Sequence, residues 1–219
     1  MSFRPLLAPL AATFLLAALT TAAGTALADA PAAKPAAHKT ALATFAGGCF
    51  WSMETQFDGF RGVRNLTVGY CGGTTQHPTY EDVSTETTGH METLQIEYDP
   101  ALVTYDQLLD RYWHSIDPTQ ADGQFCDIGE SYHSAIFVHD DAQRAAALAS
   151  KARLEKSGVL HAPIATRILP AATFWPAEDY HQHYARKNPE RYRDYREGCG
   201  RDAHSQRIWG SAWAKPLTE

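Results

Sequence analysis

The strongest constraint on the fold lies between Thr40 and Tyr70. There a short apolar strand runs to Ala46, Gly47-Gly48 turns the chain, a helix follows, and a second strand returns. The helix spans Cys49 to Phe57, with Phe50, Met53 and Phe57 spaced three and four apart. The second strand is Val63 to Tyr70, closed by Gly72-Gly73. A strand–helix–strand unit cannot bury its apolar faces alone and needs further sheet and helices.

The rest of the chain supplies them. Thr74 to Gly89 is polar and turn-rich. Glu92, Leu94, Ile96 and Tyr98 then alternate with Thr93, Gln95 and Glu97, which predicts a strand with two distinct faces. Thr104 with Gln107 forms a capping-box pattern for a helix through about Ser115, and Pro118 ends it. A polar loop covers Pro118 to Tyr132 and Ser134 to Val138 is a strand. Asp140 or Asp141 caps a long Ala-rich helix to about Lys156. A strand at Ile164–Leu169 and a helix at Ala177–Lys187 complete the order β-α-β-β-α-β-α-β-α. The fold class is α+β, a mixed sheet with packed helices. Asn188 to Glu219 is polar and is expected to wrap the domain as a long irregular tail.

The first 28 residues read as a signal peptide. Arg4 precedes an apolar run from Leu6 to Leu19, and Ala26-Leu27-Ala28 gives a small-x-small cleavage site. Residues 29–39 form an Ala/Pro linker, and residues 40–219 a single catalytic domain that includes the tail. The expected location is exported, periplasmic or secreted, with no membrane attachment after cleavage, and the expected state is a monomer. Net charge is −6 over 219 residues, so no basic surplus exists to bind nucleic acid. Four cysteines are too few to scaffold a chain of this length.

Two residues carry the chemistry. Cys49 stands where the first strand meets the helix, and a thiol at a helix N-terminus is expected to favour its thiolate. Phe50 and Trp51 follow it and can wall the sulfur with apolar surface. Glu92 shares parity with Leu94 and Ile96, so its carboxyl is aimed at the side those residues bury. A carboxyl group in an apolar pocket is raised in pKa and can act as an acid near neutrality. On residues alone, Cys49 reads as a nucleophile or as a buried core cysteine, and a cysteine hydrolase using Cys49 with His90 or His181 as base is one chemistry it could serve.

Gly48-Cys49-Phe50-Trp51 resembles the active-site motif of the A-type peptide-methionine sulfoxide reductases. Gly69-Tyr70-Cys71-Gly72-Gly73, Pro78-Thr79-Tyr80, Gly89-His90-Met91-Glu92 and Tyr98-Asp99-Pro100 follow in the family's order. So do Asp117-Pro118-Thr119-Gln120, the run Asp127 to Tyr132, and Ala177 to Gln182. The resemblance spans roughly Thr40 to Asn188. It implies a ferredoxin-like two-layer sandwich and reduction of the S epimer of methionine sulfoxide, free or in proteins. By resemblance Cys49 attacks the sulfoxide sulfur, while Phe50 and Trp51 hold the methyl group. Glu92 protonates the oxygen, Tyr80 and Tyr132 hydrogen-bond it, and Asp127 orders the site. Attack leaves a sulfenic acid that a second thiol resolves to a disulfide, which a thioredoxin-like or other dithiol reduces. No cofactor is implied.

The resolving thiol is assigned first to Cys199, in the glycine-flanked Glu197-Gly198-Cys199-Gly200, with Cys126 and Cys71 as alternatives. A structural Cys71–Cys126 disulfide is a further option. His181-Gln182-His183 is not assigned to a metal, because residues two apart on a helix do not share a face. The expected arrangement there is one histidine packed and the other exposed.

Overall fold

The strand around Glu92 lies at the centre of the sheet. The structure is a computed structural model that describes residues 39–210. Residues 1–28, expected as a signal peptide, all of the expected 29–39 linker but Lys39, and the last nine residues of the tail lie outside the described residues. Strand β1 (Ala41–Gly47) leads into helix α1 (Phe50–Phe57) and β2 (Val63–Cys71). A short helix α2 (Tyr80–Val83) precedes β3 (Met91–Tyr98) and α3 (Tyr105–His114). The pair β4 (Gly123–Gln124) and β5 (Asp127–Ile128) forms a small separate ribbon. Then come β6 (Ser134–Val138), α4 (Asp141–Lys156), β7 (Arg167–Pro170) and β8 (Trp175–Pro176). Helices α5 (Tyr184–Lys187), α6 (Pro189–Gly198) and α7 (Arg201–Trp209) end the described chain.

The main sheet has the order β7-β6-β1-β3-β2-β8. β3 pairs antiparallel with both β1 and β2, so β1 and β2 run parallel with β3 between them. This is a split βαβ unit, and with β6 beside β1 it gives the ferredoxin-like arrangement. β7 extends the sheet parallel to β6. Phe50, Met53 and Phe57 of α1, Leu108, Leu109 and Tyr112 of α3, and Ala147 of α4 pack with Leu94 and Ile96 into one core. The other sheet face buries a smaller cluster of Ala46, Cys71, Met91, Ala135 and Phe137. The fold is therefore α+β.

Local signals translate directly where they are strong. Thr104 Oγ1 accepts from Gln107 N–H, and Gln107 Oε1 accepts from Thr104 N–H, closing the expected capping box. Asp140 caps α4 by accepting from Gln143 N–H at 2.7 Å.

Two expectations are corrected. The tail is not irregular: α6 and α7 occupy Pro189–Gly198 and Arg201–Trp209. Its helices are held by a few anchors rather than by an apolar stripe, so no helical periodicity marks them. Tyr192 meets Thr55, Trp209 donates to the Ile116 carbonyl, and Arg201 is wholly buried. Ala177–Lys187 is not a helix until Tyr184. Gln182 instead brackets Val68, accepting from its N–H and donating to its carbonyl, and it donates also to Ala177. That side chain takes the place of a strand neighbour at the edge of β2.

The Gly47-Gly48 turn has a steric cause. Gly48 has φ of 76°, and a Cβ there would lie 2.5 Å from Gln124 Cβ. Gly48→Ala is expected to cost about 2 kcal/mol or more of unfolding free energy, from left-handed backbone and overpacking. Urea denaturation followed by circular dichroism measures it.

Candidate active site

Cys49 occupies the N-cap position of α1, and its carbonyl accepts from Ser52 and Met53 N–H. The next amide, Phe50 N–H, donates to Glu92 Oε2 at 2.9 Å. One hydrogen bond thus fixes the buried carboxyl against the start of the helix that carries the thiol. Glu92 is 3% exposed. Burial drives its pKa from 4.5 up to about 8, opposed by the Phe50 N–H and aided by the Asp127 and Glu86 charges. The carboxyl is therefore largely protonated at neutral pH and able to donate.

The Cys49 thiol does not follow the expectation of a thiolate. It is 6% exposed, and burial first, then the Glu92 and Asp127 charges, push its pKa well up. The helix end does not outweigh that burial, because its leading N–H is committed to Glu92. Two groups oppose the rise: the Tyr195 hydroxyl and the Trp51 backbone N–H. In the resting site both reacting groups are neutral.

The remaining expected residues converge on the same place. Asp127 is held by the Cys49 backbone N–H and by the Tyr195 hydroxyl, which donates to its Oδ2 at 2.6 Å. Tyr80 and Tyr132 hydrogen-bond each other, and both feel the charges of Glu92 and Cys49. Burial raises both hydroxyl pKa values, so each remains a donor. Tyr132 ends a short 3-10 turn, Glu130–Tyr132, that Glu86 pins by accepting from Ser131 N–H and Oγ–H, each at 2.7 Å. Gly129 (φ 142°) makes room for that carboxylate, since a Cβ there would meet Glu86 Cδ at 2.7 Å. Tyr80 starts α2, and its N–H donates to Glu178 at 2.8 Å.

Phe50 and Trp51 build an aromatic wall. Phe50 packs on Tyr70 and His181, while Trp51 stacks on Tyr184 with centroids 3.7 Å apart. The Trp51 indole N–H donates to His181 Nδ1 at 3.1 Å. His181 is 2% exposed, while His183 is exposed and meets Glu54. One packed and one exposed histidine match the expectation, although the segment is a turn rather than a helix. His90 accepts the Gly73 N–H at Nδ1 and bonds the Thr75 carbonyl at Nε2. Both ring nitrogens of His90 are thus engaged, while His181 accepts at Nδ1 and its buried Nε2 has no hydrogen-bond partner.

The cysteines separate by face. Cys71 pairs with Met91 across β2 and β3, while Tyr70 pairs with Glu92, so Cys71 lies on the opposite sheet face from Glu92. It is buried, and its S–H meets the Ala172 carbonyl. The considered Cys71–Cys126 disulfide is overturned, because Cys126 is bonded to Cys199. Cys49 and Cys71 are free thiols. Cys126, Asp127 and Cys199 are the donor cluster found among the described residues, and its two sulfurs are joined to each other.

Tyr195 and Arg201 have structural roles here that carried no sequence signal, and Glu178 stood in the Ala177 to Gln182 motif without an assigned role. Tyr195 reaches the thiol from α6. Glu178 also accepts from Tyr70, fastening α2 to the sheet. Arg201, 1% exposed, donates to the Gly47 and Ser115 carbonyls and lies 4.3 Å over Phe125. A polar residue in a polar helix shows no periodicity, and the charged stretch Arg186 to Arg196 reads as solvated surface until its partners are seen.

A family model described as peptide methionine sulfoxide reductase matches residues 41–213. Peptide methionine sulfoxide reductase MsrA of Bacillus licheniformis is 54% identical over 172 residues, covering 78% of this chain and 95% of that protein. Its namesake from Bacillus subtilis is 50% identical over 173 residues, covering 79% and 98%. Among solved structures, Mxr1 from Saccharomyces cerevisiae in reduced form is similar, with 32% identity and a TM-score of 0.66. The match covers 72% of this chain and 90% of that one. Methionine sulfoxide reductase A of Corynebacterium diphtheriae matches with 34% identity and a TM-score of 0.61, covering 68% and 76%.

Glu92→Gln is expected to lower turnover by about 10²–10⁴-fold, the range for loss of a positioned proton donor. Wild-type kcat/KM should fall as pH rises through about 8, where Glu92 ionises, and the variant should lose that limb. Stability follows the same group. Its folded pKa lies above 4.5, so its contribution is full below 4.5 and is lost as pH rises through about 8. The variant, neutral throughout, should gain on wild type in thermal melts between about pH 5 and pH 9, on the order of a few kcal/mol.

Proposed function

The chain belongs to the peptide methionine sulfoxide reductase family and is an oxidoreductase that reduces methionine sulfoxide; on that footing we propose the chemistry of each site residue. The observation that carries the reading is a buried acid, Glu92, with pKa raised to about 8, fixed by Phe50 N–H beside a buried thiol. A sulfoxide oxygen leaves sulfur only when protonated, and a carboxyl kept neutral at neutral pH is suited to protonate it.

Phe50 and Trp51 receive the S-methyl group, and the Tyr80 and Tyr132 hydroxyls donate to the sulfoxide oxygen. Glu92 gives its proton to that oxygen as Cys49 Sγ attacks the sulfoxide sulfur. The proton released by Cys49 returns to Glu92, and the Tyr195 hydroxyl steadies the charge on sulfur while it develops. Glu92, recharged by that proton, protonates the oxygen again, so the substrate sulfur–oxygen bond breaks with loss of water and leaves a sulfonium bonded to Cys49 Sγ. A water then attacks Cys49 Sγ, returns its proton to Glu92 and breaks the Sγ–sulfur bond, leaving a Cys49 sulfenic acid and methionine. Cys199 then attacks the sulfenic sulfur, expels water and forms a disulfide, which a dithiol reduces to two thiols. The electrons come from that dithiol, so the reaction needs no cofactor.

The substrate is the S epimer, free or in proteins, and the physiological reductant is a thioredoxin-like protein. Residues 1–28 act as a signal peptide, and the enzyme works as a monomer outside the cytoplasm. Among the described residues no helix is long and apolar enough to cross a membrane.

The test incubates the protein lacking its first 28 residues with resolved methionine sulfoxide epimers and dithiothreitol, and follows methionine by chromatography. The S epimer should be reduced with one dithiol oxidised per methionine, and the R epimer left. Turnover without dithiol consumption would indicate a hydrolase-type reaction instead. Cys49→Ser should abolish methionine formation, including the first turnover.

A further inference from the structure

Arg201 is a buried cation that the chemistry above leaves without a task. It is 1% exposed, although it opens a polar helix only two residues beyond Cys199. Gly200, at φ 65°, separates α6 from α7, and the chain runs from the Cys126–Cys199 bond on one side of it to the buried guanidinium on the other.

That guanidinium lies under the turn that presents Cys49. Nη2 donates to the Gly47 carbonyl at 2.9 Å and to the Ser115 carbonyl at 3.0 Å, so one group ties the end of β1 to the end of α3. Nη1 faces Gly48, where an added Cβ would lie 3.5 Å from it. Phe125 covers the cation, with Cζ 4.3 Å from the ring centroid. Nε and Nη1 are buried without hydrogen-bond partners. A buried donor left unpaired destabilises the fold, so its retention calls for a reason.

The groups that face it supply one. Cys49 at the start of α1, Asp127 on β5 and Tyr195 on α6 each favour the charged guanidinium, while Arg196, paired with Asp202, repels it. Asp127 in turn holds the Cys49 N–H and the Tyr195 hydroxyl. Burial and the charges of Glu92 and Asp127 push the Cys49 thiol toward its neutral form. Negative charge develops on Cys49 Sγ only during attack, and in a site shielded from water a fixed cation attracts it strongly.

We propose that Arg201 is a positioning residue for the methionine-forming step: its cation, clamped under the Gly47-Gly48 turn, steadies the charge that develops on Cys49 Sγ and keeps Asp127 ionised. The inference rests on the reductase reading and extends it, because it gives helix α7 a part in the first half-reaction.

The test compares wild type with Arg201→Lys, Arg201→Gln and Arg201→Met. The first keeps the charge, the second keeps a donor for the carbonyls without the charge, and the third keeps neither. Enzyme in excess is mixed with the S epimer, with no dithiol present, and methionine is followed by rapid quench. This burst reads the attack by Cys49 and does not depend on Cys126 or Cys199. It should slow by about tenfold or more in Arg201→Gln and Arg201→Met, and Arg201→Lys should recover most of the loss. Uncharged iodoacetamide, which reacts with thiolate, should modify Cys49 more slowly at any one pH in the two neutral variants, and near the wild-type rate in Arg201→Lys. Peptide mapping follows Cys71, on the opposite sheet face, in the same samples, and its rate should not change. A merely structural loss would loosen the fold and speed both alkylations. The proposal is overturned if a neutral variant that melts like wild type keeps the wild-type burst, if Arg201→Lys is no faster than Arg201→Gln, or if Cys49 alkylation in the neutral variants is unchanged or faster. It is overturned also if neither neutral variant folds, since Arg201 would then serve the fold alone. Absence of the burst in wild type would instead sink the reductase reading itself.

Discussion

The hydrogen bond from Phe50 N–H to Glu92 ties together the first helix, the central strand and the chemistry. A helix N-terminus leaves amides without partners, and a buried carboxyl needs a donor; each meets the other's need. The bond draws α1 onto β3 at the point where Gly47-Gly48 turns the chain, and so sets Cys49 beside the acid. It also explains why the thiol is not ionised at rest. The first amide of the helix serves the carboxyl, while burial governs the sulfur. The site stores no charge on either reacting group, and the proton needed by the sulfoxide oxygen is already in place.

Around this bond, long-range polar contacts close the site. Glu86 holds the turn that carries Tyr132, Glu178 holds the helix that carries Tyr80, and the His181 ring holds Trp51. From the C-terminal side, Arg201 reaches beneath the glycine turn and Tyr195 reaches the thiol. Burying a guanidinium costs heavily unless it is satisfied. Here Nη2 donates to two carbonyls, an aromatic face covers the cation and the Asp127 carboxylate offsets its charge, while Nε and Nη1 are buried without hydrogen-bond partners. That commitment is what converts a polar tail into packed helices, and it delivers Cys199 to Cys126.

Legibility in the sequence tracked the range of the forces involved. The capping box at Thr104, the Asp140 cap and the alternation from Glu92 to Tyr98 are local, and the structure reproduces each. The burial of Glu92 was readable because strand parity alone aims its side chain with Leu94 and Ile96. The segment from Ala177 to His183 misled because Gln182 satisfies β2 backbone groups 114 residues away, which no local pattern encodes. The ribbon at Gly123–Ile128 and the edge strand at Trp175–Pro176 have strands of two residues each, too short to leave a periodic trace.

By itself, the sequence determined the α+β class, the strand–helix junction that presents Cys49, and the face on which Glu92 is buried. These follow from side-chain periodicity and from turn chemistry within a few residues. Tertiary structure alone decided the protonation of the thiol, the pairing of Cys126 with Cys199, and the placing of Cys71 across the sheet. Each depends on which surfaces exclude water and which distant atoms come within bonding reach, and those are properties of the packed chain.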